Sequence, residues 1–125
     1  MKSYTDIEQS RKLAEFLPLD SADMEYLSIK ENGLLVGNVP FVKDDSEVEN
    51  SAYSRTYDRI ACWSLSALFS ILPKGIDIIK EEADTEDEQY MCNVGVKSGI
   101  ISTFGNNPVD ACYEMILKLN KMNLL

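Results

Sequence analysis

Six carboxylates crowd into eight residues at Glu81-Glu82-Ala83-Asp84-Thr85-Glu86-Asp87-Glu88, with no basic residue among them. Hard cations such as calcium take oxygen ligands of this kind, so a metal loop is the first chemistry to weigh. A calcium loop, however, needs ligands at alternate positions and a central glycine for its sharp turn. Neither is present, and the stretch reads instead as a solvated hairpin tip whose charges discourage edge-to-edge pairing. No residue is therefore assigned as a metal ligand.

The chain carries three cysteines and no histidine. Without histidine there is no Ser-His-Asp or Cys-His catalysis, no His-ligated metal and no imidazole switch near neutral pH. Cys62, Cys92 and Cys112 are odd in number and lack C-x-x-C spacing, which predicts reduced, buried thiols rather than a disulfide framework. Cys62 precedes a predicted helix, where aligned peptide dipoles favour a thiolate. It has no base to activate it, and its neighbours Ala61 and Trp63 point to packing. With 21 acidic residues no single pair stands out for acid–base work. The glycines at 33, 37, 95, 99 and 105 are isolated, so no phosphate-cradling loop is present. Catalytic and cofactor-binding residues are accordingly expected to be none.

Two features could meet a partner. One is the acidic run Glu81, Glu82, Asp84, Glu86, Asp87 and Glu88. The other is a basic-aromatic segment in which Tyr53 and Tyr57 interleave with Arg55 and Arg59; Tyr and Arg are the side chains interfaces use as anchors. On a helix both arginines would share one face and both tyrosines another; on a strand all four would share one face. Twelve basic residues against 21 acidic ones leave a formal charge of −9. Such a surface repels phosphate backbones, so nucleic-acid binding is not expected, and a partner of this chain would present a basic surface. The same charge also serves plain solubility.

These residues must be positioned by a fold of 125 residues, long enough to bury a core as one domain over 1–125. Thr5-Asp6-Ile7-Glu8 has the form of a capping box, and apolar residues at helical spacing predict a helix over 6–17, ended by Pro18. Met24–Glu31, then Asn32-Gly33, then Leu34-Leu35-Val36, predict a β-hairpin closed by a two-residue type I′ turn. From 42 to 59 the periodicity dissolves around Asp44, Asp45, Glu47 and Glu49. That stretch reads as a mobile acidic loop or one hiding a short strand near Tyr53–Tyr57.

Trp63–Leu72 predicts a short buried helix with Leu65, Leu68, Phe69 and Leu72 on one face. Ile76–Lys80, Gln89–Val96 and Ile100–Phe104 predict a three-stranded meander, with Tyr90, Cys92, Val94 and Val96 sharing a face. Asn107-Pro108 opens a final helix, with Val109, Cys112, Met115, Ile116 and Leu119 as its buried stripe. The expected class is α+β: an antiparallel sheet of about five strands, hairpin plus meander, with three helices mainly on one face.

Three segments carry a resemblance. They are Lys12-Leu13-Ala14-Glu15-Phe16-Leu17-Pro18-Leu19-Asp20-Ser21-Ala22-Asp23-Met24, Cys62-Trp63-Ser64-Leu65-Ser66-Ala67-Leu68 and Asn107–Leu119. Together they resemble a group of short uncharacterised proteins of phage-like or mobile elements in gut Bacteroides. The resemblance covers the helices and their flanks, not the hairpins or the middle loop. The group's usual proline before Cys-Trp-Ser is replaced by Ala61, so the start of that helix is expected to differ. No activity is established for the group, and the resemblance implies only a genomic setting.

The residues then favour a non-enzymatic accessory or protein-interaction protein. The alternative is a small ligand- or divalent-cation-binding domain, or enzyme, working through carboxylates. Met1–Asp6 runs straight into a predicted helix with no apolar leader, which predicts a cytoplasmic chain without membrane attachment. A weak homodimer is compatible with the sequence.

Overall fold

Asp6, not Thr5, caps the first helix. Its carboxylate accepts the Gln9 N–H at 2.8 Å, and the Gln9 side chain returns to the Asp6 N–H at 3.1 Å. The predicted capping box thus slides by one residue. Thr5 is fully buried, and aspartate caps at least as well as threonine. Helix α1 spans Ile7–Ala14 and ends before Pro18, because its last turn tightens: Phe16 donates to Leu13, three residues back.

The structure is a computed structural model, and it describes residues 1–43, 55–81 and 89–125. These form two compact units, one from Asp6 to Trp63 and the other comprising Met1–Thr5 with Ser64–Leu125.

In the Asp6–Trp63 unit, α1 is followed by a single 3-10 turn at Leu19–Ser21 and strand β1 at Met24–Ile29. Strand β2 is the dipeptide Phe41–Val42, and β3 spans Tyr57–Cys62. All pairing is antiparallel in the order β2-β1-β3. Strand β3 covers β1 along its whole length, from Met24↔Cys62 to Ile29↔Tyr57, while β2 pairs only with Met24 and Glu25. Helix α1 packs on β3. Trp63 is completely buried and donates its indole N–H to the Ser21 hydroxyl at 2.9 Å, which pins the 3-10 turn.

In the other unit, α2 spans Leu65–Ile71, capped by the Ser64 hydroxyl on the Ala67 N–H. Strands β4 (Asp77–Glu81), β5 (Gln89–Val96) and β6 (Gly99–Gly105) form an antiparallel meander in sequence order. Helix α3, Pro108–Lys121, lies over β5 and β6, and α2 packs on α3. Asn107 caps α3, with Pro108 in the first turn, and the expected stripe of Val109, Cys112, Met115, Ile116 and Leu119 is buried. Tyr90, Cys92 and Val94 alternate into the core. Where β6 meets α3, Thr103 donates to the Ala111 carbonyl at 2.8 Å, and Lys2 reaches the Asp110 carboxylate at 2.9 Å.

The α+β class is therefore as expected, but the single sheet of about five strands is not. There are two sheets of three strands each among the described residues. The physical reason lies in β1. Both of its edges are filled by chain from its own unit, so β1 itself offers no edge to the meander. Phe69 also departs from its predicted buried face: it is exposed, and Ala67 with Leu68 and Leu72 supplies the packing instead.

Gly105 is the tightest point between β6 and α3. A Cβ there would stand 2.5 Å from the Ala111 nitrogen and 2.9 Å from the Asp110 carbonyl carbon, both backbone atoms that cannot swing aside. Gly105→Ala is expected to destabilise the protein by about 1–3 kcal/mol through overpacking. Gly95→Ala, where a Cβ meets nothing within 4 Å, is expected to stay within about 0.5 kcal/mol of wild type. Urea midpoints of the two variants, compared at equal slope, check this contrast.

Candidate functional site

Gly33 to Val42 is a run of ten residues without one charge, in a chain where 26% of residues are charged. The Asn-Gly pair turns the chain at its start, though not as a two-residue turn. Only Gly33 takes a positive φ, +71°, and Asn32 instead accepts the Leu34 N–H on its side-chain oxygen at 3.0 Å. Ile29 pairs with Leu34, so Lys30–Gly33 form a four-residue connection.

The returning chain then meets β1 twice. Leu35 bridges Ser28 and the Val36 N–H donates to the Leu27 carbonyl; after Gly37–Pro40, Phe41 and Val42 pair with Glu25 and Met24. Because β3 occupies the opposite edge of β1, both touches fall on the same edge.

This geometry turns apolar side chains outward. Leu34 is 62% exposed, Val39 56% and Val42 78%, and Leu35 and Phe41 are exposed with them. Among the described residues β2 pairs with β1 alone, so no described chain covers its outer edge beside those side chains. Such an edge is a template for another strand, and proteins normally blunt it with charge. Here the charge is missing from the edge itself. In sequence it follows at once, as Asp44, Asp45, Glu47 and Glu49.

On β1 and β3 the same unit holds a small, largely apolar pocket of about 200 Å³, lined by Leu19, Ala22, Met24 and Ala61 together with the charged Glu25, Lys43 and Arg59. Glu25 and Leu27 share a face of β1, opposite Ala61 and Arg59 of β3. The Glu25 side chain is only 8% exposed, and the Arg59 Nε stands 3.8 Å from its Oε2. Lys43 at the rim bonds the Leu19 carbonyl at 3.3 Å. A buried carboxylate needs such cationic neighbours, since isolating it from water is expensive.

The basic-aromatic segment is thereby partly placed. Tyr57 and Arg59 lie on one face of β3, as the strand alternative required, and Arg59 faces the buried Glu25. Arg55 is exposed just before the strand, and Tyr53 lies outside the described residues. Of the acidic run, Glu81 ends β4 opposite Gln89. Glu82, Asp84, Glu86, Asp87 and Glu88 lie outside the described residues. Of the segment read as a loop over 42–59, Val42 belongs to β2 and Tyr57–Arg59 to β3, while 44–54 lie outside the described residues. Sequence reading missed Glu25, and no local signal marks it: on a half-buried strand any single glutamate reads as outward-facing.

All three cysteines are buried free thiols, as expected. Cys62 ends β3 and comes two residues before Ser64, the cap of α2. Cys92 of β5 and Cys112 of α3 share a hydrogen bond, which with burial raises Cys112 well above the ordinary thiol range. The same bond holds Cys92 lower, against the opposing effect of burial. Among the described residues no three His, Cys, Asp or Glu groups converge to hold a metal ion, and no helix is long and apolar enough to cross a membrane.

The Glu25–Arg59 contact can be measured by a double-mutant cycle in urea. Arg59→Met is expected to cost about 1–2 kcal/mol by leaving Glu25 buried with less compensation. In the Glu25→Gln background the same change is expected to cost about 1 kcal/mol less. Additive effects would mean that the two charges are not coupled.

Compared with known proteins, the chain matches no family model, no curated protein and no solved structure.

Proposed function

We propose that this chain is a protein-interaction protein, an accessory factor of a phage-like element. Its partner adds an extended segment to the Leu34–Val42 edge of the β2-β1-β3 sheet. The observation that carries the reading is that edge: a two-residue strand whose outer side is covered by no described residue, flanked by exposed Leu34, Leu35, Val39, Phe41 and Val42, and free of charge over ten residues. Contiguous apolar surface of this kind marks sites of association, and strand addition to a sheet edge is a recurrent mode of peptide recognition.

The partner's chemistry follows from what surrounds the edge in sequence. Asp44, Asp45, Glu47 and Glu49 come directly after Lys43, and the chain as a whole is at −9. A partner segment with alternating apolar residues and basic flanks matches both halves, the apolar contacts giving affinity and the charges steering the encounter. The acidic run 81–88 contributes to the same long-range attraction.

A second reading rests on one feature, the buried Glu25 carboxylate in its small pocket. In it the protein binds a small ligand or divalent cation through Glu25, the single carboxylate among the described residues of that pocket's lining. Thermal melts with magnesium, calcium and manganese, with and without chelator, separate the two. A ligand that binds only the folded state raises the midpoint by mass action, and the rise would disappear in Glu25→Gln. No rise at millimolar ion removes this reading.

For the first reading the measurement is capture from lysate on immobilised protein, wild type beside Leu34→Ser and Val42→Ser. Both side chains are more than half exposed, so each variant is expected to keep its stability within about 0.5 kcal/mol. A partner held by wild type, released at moderate salt and weakened at least tenfold by either variant is the expected result. Capture that neither variant alters, or an empty column with folded bait, rejects the edge as the binding surface.

A further inference from the structure

The unit containing the meander carries an open groove of about 640 Å³ near the C-terminal end of α3. Its size falls within the range of small-molecule sites. Pro73, Val96, Leu119, Met122 and Leu124 are its apolar walls, and Leu119 is fully buried as its floor.

The wall nearest the helix end has a specific origin. Asn123 takes a positive φ of 57°, its N–H donates to Asn120, and the Leu124 N–H donates to Leu119 at 2.9 Å. This is a Schellman motif, in which the residue after the left-handed one folds back over the helix. It satisfies carbonyls that would otherwise present partial negative charge there, and it brings Leu124 back beside Leu119. On the facing side the β5–β6 turn supplies Lys97 and Ser98. Among the described residues Lys97 is the sole charged group in the groove walls, and Lys118 with Lys121 lies in the last turn of α3. In a chain at −9, Lys97 thus puts a positive group on the wall of this apolar concavity.

We infer that this groove binds a single-chain amphipathic anion, an unbranched acyl carboxylate. The chain lies against Met122 between Val96 and Leu124, above the fully buried Leu119, and the carboxylate pairs with the Lys97 ammonium. The Ser98 hydroxyl offers a second donor at the same turn. Apolar contact sets the affinity, and the lone cation sets the preference for an anionic head over a neutral or cationic one.

The test uses the full chain and decanoate below its micelle-forming range, followed by calorimetry and by chemical shifts of the Val96, Leu119 and Leu124 methyl groups. Decanol and decyltrimethylammonium serve as head-group controls, and octanoate and dodecanoate as length controls. Saturable decanoate binding is expected, at least tenfold tighter than decanol, with affinity rising by up to about fourfold per added methylene. Lys97→Glu is expected to weaken it at least tenfold. Gly95→Phe, introduced where a Cβ meets nothing within 4 Å, is expected to fill the groove and abolish binding while the melt stays that of wild type. If Gly95→Phe does not fold, Lys97→Glu and the head-group series still decide. No saturable decanoate binding, equal affinity for decanol, or indifference to Lys97→Glu overturns the inference. So does a solution mass near twice 14.1 kDa that shields the same methyl groups, which would make a second copy the occupant.

Discussion

Strand β1 is buried at Glu25, Tyr26, Leu27 and Ser28, four consecutive residues that include both of its faces. A strand removed from water on both faces cannot leave its backbone amides and carbonyls to solvent, so each edge has to be filled by other chain. That requirement organises the whole Asp6–Trp63 unit. It holds β3 along the full length of one edge, and it makes the chain after Gly33 touch the other edge in two places rather than one. It also explains Glu25, whose carboxylate is carried inward by the strand and meets Arg59 diagonally across the sheet.

The exposed apolar residues are the other side of the same arrangement. A segment that must pair with β1 by its backbone has one side toward the strand and the other toward solvent, and a run of Leu, Val and Phe gives β propensity without regard to which side is wet. A sequence selected only for pairing would place charges on the outer positions. The absence of any charge between Gly33 and Val42, with acids crowded just beyond Lys43, is therefore a feature of this chain's surface rather than a consequence of its sheet.

Elements whose ends and faces are set by local chemistry were legible. Asn107-Pro108 marks the start of α3, all five residues of its expected stripe are buried with Ala111 in addition, and Tyr90, Cys92 and Val94 alternate inward on β5 while Val96 is half-buried. Strand β3 was not legible beyond a hint near Tyr57, because Asp58 and Arg59 are exposed and break the alternation; its place is dictated by β1 and not by its own pattern. The division into two sheets was hidden for the same reason, since nothing local says that β1 finds both partners within its own unit. The small pocket joins residues 25, 43 and 59 from three separate segments, and such convergence leaves no spacing to read. The apolar groove is equally nonlocal, although the positive φ at Asn123 is a conformation asparagine tolerates better than most residues.

The order of strands in this unit also has a kinetic side. Strand β1 is made before either of its partners, and the register that covers it from Met24 to Ile29 is completed only when Tyr57–Cys62 exist. At about 5–20 residues per second of synthesis, the interval from Ile29 to Cys62 is on the order of 2–7 seconds. Throughout it the central strand is flanked at most by its weaker neighbours, the Leu34–Val36 return and the two residues of β2. The nascent chain therefore exposes an apolar strand and an apolar edge together, and its safe passage depends on how quickly the later strand closes over the first.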